Sequence, residues 1–209
     1  VAATSALESV GSLWLATLQR AMARASHDVK DALNGVSVNL EVIRSRAARP
    51  DTPASAVASF GESAGHQLDQ LTRLIEAVLA LGRAERTPVD VGTMLRRVVT
   101  LCGASTSSDD ATVKLVEDAS LGSTVSPVSS DVVRLTLLAH LLDLVVSPAR
   151  GTSMSEVTCT LSSNDDGVQV RFAAPGRSAA TTKALAEIMR GAGVRWTEGN
   201  ELSLTYPRT

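Results

Sequence analysis

Met22-Ala23-Arg24-Ala25-Ser26-His27-Asp28-Val29-Lys30-Asp31-Ala32-Leu33-Asn34-Gly35-Val36 sets the period of the first half of the chain. Met22, Ala25, Val29, Leu33 and Val36 advance by threes and fours, and Leu40 and Ile43 continue the series, as one face of an amphipathic helix requires. No proline interrupts residues 6–48, and the two in Arg49-Pro50-Asp51-Thr52-Pro53 end the helix. Beyond them Val57, Phe60, Ala64, Leu68, Leu71, Ile75 and Val78 keep the same spacing. Two long helices joined by a short break make a hairpin. A lone hairpin leaves much of its apolar stripe in water, so the pattern predicts a homodimer in which two copies pair as a four-helix bundle.

After about Arg86 the texture changes. Pro88-Val89-Asp90-Val91 reads as a short strand and Thr93 to Cys102 as a helix; Thr112 to Glu117 and Ser123 to Val128 carry the β-branched character of strands. Ser129-Ser130-Asp131 caps a strongly apolar helix that runs to about Val146 and is closed by Ser147-Pro148. Glu156 to Ser162 and Val168 to Phe172 flank the turn signal Asn164-Asp165-Asp166-Gly167. A helix over Ala179 to Arg190 ends at Gly191 or Gly193, and strands at Val194 to Thr197 and Leu202 to Tyr206 follow. The expected fold is α+β: a helical hairpin over residues 1–86, then an α/β sandwich over 87–209 whose sheet is covered by helices on one face.

Bulk properties narrow the function. A net charge of -2 and a pI near 5.9 argue against nucleic acid or an anionic membrane as the main partner. No apolar run approaches the roughly 20 residues that span a bilayer, and no secretory leader is evident, so a cytoplasmic location is expected. Cys102 and Cys159 stand apart without metal-like spacing and read as small buried hydrophobes. With aromatics at only 2%, the core must be built from Ala, Val and Leu, which suits close helix packing.

A helical wheel centred on Val29 puts Val36, Leu40, Leu33, Ala25 and Ile43 within about 40° of it, and His27 about 160° away. Arg20, Arg24, Asp31, Asn34 and Val38 share that outward side. On pattern alone, a solvated surface histidine fits as well as a functional one. His66 and His140 stand at no ligand spacing to His27, so a metal site is disfavoured.

The order His27-Asp28 followed by a mixed polar and apolar turn, two-thirds along the first helix of a hairpin, resembles the phosphoacceptor box of dimeric sensor histidine kinases. The resemblance implies that the imidazole of His27 attacks phosphorus and that Asp28 orients the ring and raises its basicity. An imidazole is a good nucleophile near neutrality, and a carboxylate on one nitrogen fixes the tautomer that frees the other. Arg20 and Arg24 would steer phosphate, or serve as ordinary solvated arginines, and with Asp31 and Asn34 would face a docked partner. Many of these kinases carry Asn, Thr or Gln four residues after the histidine. The carboxylate of Asp31 there would repel a phosphorylated aspartate, which speaks against phosphatase activity.

From Pro88 onward the element order is similar to the ATPase domain of the same kinases, but its site residues are missing. At the two positions of the family's magnesium-binding asparagines stand His140 and Leu144, and a leucine offers no oxygen to a hard cation. Phe172-Ala173-Ala174-Pro175-Gly176-Arg177, where the adenine-reading aspartate should be, has no carboxylate, and Ser178 leads into the next helix without room for a nucleotide lid. A hairpin with an exposed histidine beside a degenerate ATPase-like domain resembles the ChpT-type histidine phosphotransferases. That implies a phosphorelay role: His27 carries a phosphoryl group between the aspartates of response-regulator receiver domains. No cofactor is expected, any Mg²⁺ coming with the receiver. The alternative is a non-catalytic, kinase-like module that binds or sequesters a regulator.

Overall fold

The structure, a computed structural model, describes residues 2–51, 53–83, 87–103, 111–146, 156–176 and 179–209. The Ser147-Pro148 stop, Arg177-Ser178 and the 84–86 boundary lie outside them.

Helix α1 (Ala2–Ala47) and helix α2 (Ser55–Gly82) form the expected hairpin. They are followed by β1 (Val89–Asp90), α3 (Val91–Gly103), β2 (Thr112–Glu117), β3 (Val125–Ser126), α4 (Ser130–Val146), β4 (Glu156–Asn164), β5 (Gly167–Ala173), α5 (Lys183–Gly191), β6 (Arg195–Thr197) and β7 (Glu201–Tyr206). The fold is α+β, a long N-terminal helical hairpin followed by a mixed-sheet domain. Among the described residues no helix is long and apolar enough to cross a membrane.

Five strands make one sheet in the order β2-β4-β5-β7-β6, with β2 parallel to β4 and the other neighbours antiparallel. Register follows the alternation of apolar residues. Cys159 faces Phe172 across β4 and β5, Leu161 faces Val170, and Val170 in turn faces Leu204. Val157, Cys159, Leu161, Val168, Val170 and Phe172 are thereby buried on one face, as the period of two demands. The β4–β5 turn needs Gly167, whose φ of 143° would strain any side chain and whose Cβ would meet the carbonyl oxygen of Tyr206. Strand β3 is shorter than its β-branched run because only two of its residues pair, with β1, in a separate ribbon. Helix α5 starts at Lys183 instead of Ala179, where Thr182 accepts the Leu185 N–H as its N-cap.

Helix α4 is the keel of the domain. Val133, Leu137, Leu138 and Leu141 are fully buried, and its apolar residues run all round, so it has no solvent stripe to spare. The core does not stop at the domain's edge. Ala21, Ala25, Leu74, Ala77 and Leu81 of the hairpin are continuous with it.

That continuity changes which face of α1 is inside. Thr17, Ala21, Ala25, Asp28 and Ala32 are buried, a line rotated by roughly 80° from the stripe centred on Val29. The expected stripe remains partly in solvent: Leu33 is 47% exposed and Leu40 54%. On α2, Leu68, Ile75 and Leu79 are likewise exposed. Between the helices an apolar groove of about 300 Å³ is lined by Met22, Ala25, Val29, Leu74 and Ile75. The small-residue face of α1 is buried, at Ala21 and Ala25 in the core shared with the mixed-sheet domain, and the large-residue face stays partly in solvent.

Candidate functional site

Helix α1 carries His27 on its outer face, where its side chain is 68% exposed. The ring is met by Asp31, whose Oδ2 lies 3.0 Å from Nδ1. Residues four apart lie about 40° from each other on the wheel, so the contact is a direct product of helix geometry. The family resemblance implies Asp28 in this place, and the structure puts Asp31 there instead. One residue is a 100° turn, which carries Asp28 onto the packed side of α1, where it is only 5% exposed. The signal that identifies Asp31 was available in the i,i+4 spacing.

The two arginines do not stand free for phosphate. Arg20 reaches across to α4, with its Nη2 2.8 Å from Asp143 Oδ1, and Arg24 Nη2 donates a long bond of 3.4 Å to the Cys102 carbonyl. Both are drawn toward the mixed-sheet domain because that side of α1 packs on α3 and α4. Arg20 and Asp143 are both substantially solvated, so the pair fixes orientation more than it adds stability. Asn34 is exposed, on the side of α1 that carries His27.

A residue the sequence reading passed over holds the two parts together. Arg134, on α4, is only 8% exposed; it donates to the Leu81 carbonyl (2.9 Å) and the Arg83 carbonyl (3.2 Å) at the end of α2. Its Nη2 pairs with Asp131 at 2.7 Å, and its guanidinium lies 4.3 Å from the ring centre of Trp14 on α1. A planar guanidinium can cap a helix C-terminus and stack on an aromatic ring at once, which an ammonium cannot. The sequence signal was the one arginine inside the most apolar helix.

The positions read as lost nucleotide ligands are closed by packing. Leu144 is 2% exposed and belongs to the core. His140 is 1% exposed, with Nδ1 donating to the Thr136 carbonyl at 2.7 Å. A carbonyl only accepts, so Nδ1 carries the hydrogen and Nε2 accepts from Thr181 Oγ1 at 3.2 Å. Thr181 in turn donates its N–H to Glu198, which tethers the loop before α5 to the β6–β7 turn. At the stretch without a carboxylate, Ala173 to Gly176 line an open cleft of about 470 Å³, and the acidic group there is Glu201 of β7.

Burial pushes the His140 imidazole below its ordinary value of 6.5, against the pull of the Thr136 carbonyl, Asp143 and Glu198. The folded ring therefore resists a proton that the unfolded ring accepts. Its contribution to stability is intact above about pH 6.5 and is lost as pH falls through the interval down to the folded value. Within that interval, stability should drop by up to about 1.4 kcal/mol per pH unit, the limit for one group. Urea unfolding at pH 7.5 and 5.5 should show a smaller difference in His140→Gln than in the parent; equal differences would count against this assignment.

Both thiols are free and buried, and burial pushes each up to about 12, so neither is a nucleophile near neutrality.

No protein-family model matches the sequence, and no curated protein matches it with significance. Among solved structures, the chain is similar to the histidine kinase domain of the Erythrobacter litoralis EL346 blue-light activated histidine kinase, at 14% identity and a TM-score of 0.46, covering 90% of this chain and 94% of that one. It is also similar to a structure described as a bacterial phosphotransferase, at 12% identity and a TM-score of 0.46, covering 91% of this chain and 95% of the other. A histidine kinase from Burkholderia phymatum STM815 matches at 14% identity and a TM-score of 0.38, covering 88% and 96%. The chain is thus similar to histidine kinase domains and to a phosphotransferase along most of its length, at identities too low to carry any residue's role across.

Proposed function

We propose that this chain is a phosphorelay histidine phosphotransferase, in which His27 carries a phosphoryl group between the aspartates of response-regulator receiver domains and no ATP is bound. The observation that carries the reading is the exposed imidazole of His27, with one ring nitrogen engaged by a carboxylate and the other left for chemistry. The sealed positions of His140 and Leu144 support the second half: the residues that would face a nucleotide's metal are committed to the core. Any Mg²⁺ then belongs to the receiver. Two free, buried thiols fit a reducing, cytoplasmic setting.

The test offers two phosphoryl sources. With a phosphorylated receiver, the chain should acquire label, and with radiolabelled ATP it should not. Label from ATP would overturn the reading of the mixed-sheet domain. Label from neither source would favour the kinase-like, non-catalytic module that binds a regulator.

The acting form is a homodimer that buries Leu33, Leu40, Leu68, Ile75 and Leu79 in a four-helix bundle. These side chains are 45–55% exposed in the single chain, so a charge placed there leaves the protomer's own core intact. Leu68→Asp with Ile75→Asp should convert dimer to monomer, weakening association by more than about a thousandfold, since each buried, unpaired carboxylate costs several kcal/mol. Sedimentation velocity reads this directly; a parent that sediments as a monomer would end the proposal.

A further inference from the structure

We infer that Asp31 is the positioning residue for His27: its carboxylate holds the ring hydrogen on Nδ1 and leaves Nε2 as the atom that accepts the phosphoryl group. The assignment rests on His27 being a phosphoryl carrier and names the atom and the orienting group within that site.

The argument begins with hydrogen-bond capacity. An ionised carboxylate only accepts, so a neutral imidazole 3.0 Å away through Nδ1 must carry its hydrogen there. The remaining lone pair is then on Nε2. Of the two nearby carboxylates, only one is placed on the face of His27. Asp31 follows one helical turn later, about 40° round the wheel, and its side chain is 41% exposed beside a ring that is 68% exposed. Asp28 is buried on the packed side of the helix, where an approaching receiver does not reach.

The transfer balances with no added reactant. The Nε2 lone pair forms the N–P bond while the P–O bond to the receiver's aspartate breaks and its electron pair leaves with that carboxylate. No proton moves. The ring keeps its hydrogen on Nδ1 and becomes cationic, and the Asp31 carboxylate sits where that charge develops. The reverse step runs through the same arrangement. The bond also turns the ring about its side-chain torsions toward Asp31, so one orientation is presented to the incoming phosphorus.

Two readouts test this, one of which needs no phosphoryl transfer. In the full-length ¹⁵N-labelled protein at about pH 8.5, where ordinary imidazoles are neutral, ring nitrogen shifts should show His27 as the Nδ1–H tautomer. Asp31→Ala should shift the ring toward the Nε2–H form, and Asp31→Glu should restore Nδ1–H. An unaltered tautomer in Asp31→Ala, or a change produced by Asp28→Asn and not by Asp31→Ala, overturns the assignment. In the second readout, phosphoramidate is the donor. The parent should form Nε2-phosphohistidine, and Asp31→Ala should form it about tenfold more slowly, the effect of losing one charge-assisted hydrogen bond. Phosphate on Nδ1 in the parent, or none at His27, overturns the choice of atom. Alanine at an exposed helical position supports the helix, so a misfolded variant is not a competing explanation. If the tautomer results hold and a phosphorylated receiver gives no label, the carrier reading fails and the role of Asp31 in holding the ring stands.

Discussion

His27→Gln should reduce phosphoryl uptake from a phosphorylated receiver by at least about a thousandfold, because removing the nucleophile removes the covalent step and leaves only positioning. Glutamine keeps a polar side chain of similar reach but has no lone pair basic enough to attack phosphorus. The fold should be indifferent to the change. The ring is 68% exposed, and its ion pair is the solvated contact with Asp31. A pair of that kind on a helix surface contributes about 0.5 kcal/mol or less. The measurement is therefore double: label retained on the chain, and the thermal unfolding midpoint. Lost label with an unchanged midpoint places the phosphoryl group on His27. Label retained by the glutamine variant places it elsewhere, and His66, the other histidine of the hairpin, would be the next residue to replace.

The second large effect concerns how the hairpin and the mixed-sheet domain are joined. Arg134→Met should destabilise the folded chain by about 3 kcal/mol. Methionine matches the length of the arginine stem and preserves packing, so the loss isolates the guanidinium. The Leu81 carbonyl would lose a buried, charged donor, at about 1–3 kcal/mol. The stack on Trp14 would lose a cation, at about 1 kcal/mol. Asp131 is half exposed and can rehydrate, so it adds little. One offset runs the other way: Arg134 Nε is buried without a hydrogen-bond partner, and its removal relieves that cost. Equilibrium unfolding in urea, followed by tryptophan fluorescence, reads the total, and Trp14 reports from the joint itself. A loss under about 1 kcal/mol would mean that the hairpin is held by apolar packing alone. Arg134→Lys should recover little, since an ammonium cannot bond the two carbonyls and stack on the indole in one pose.

On the proposed reading the joint bears on function, because it fixes where the mixed-sheet domain stands relative to His27. Arg134 grips the end of α2 and the N-terminal part of α1, and Arg20 ties α1 to Asp143 further along α4. Two polar ties at separate points on α4, with a continuous core between them, hold the domain against α1. A receiver approaching His27 would meet both surfaces already in register.

Much of this was legible in the residues themselves. Period decided the elements: threes and fours for α1 and α2, alternation for β4, β5 and β7, with prolines and Asn164-Asp165-Asp166-Gly167 as punctuation. These are local signals, set by backbone geometry and by which side chains can share a face, and local geometry does not depend on what lies across the core. The exposure of His27 is legible for the same reason, as is the apolar stripe left over on α1.

What only the tertiary structure decided is the choice among faces. A wheel ranks residues by hydrophobicity, and it ranked the line through Val29 first. The buried line instead runs through Ala21, Ala25 and Ala32, because small residues let α1 approach α2 closely, and at Ala21 and Ala25 they also let it share the mixed-sheet domain's core. That rotation buried Asp28, and Arg20 and Arg24 reach toward α4 and α3, Arg20 while still half in solvent. It left Asp31 beside His27. The sequence alone determined that a histidine would stand on the outer side of a long helix with Asp31 one turn away; packing determined that Asp28 is buried and unavailable to it.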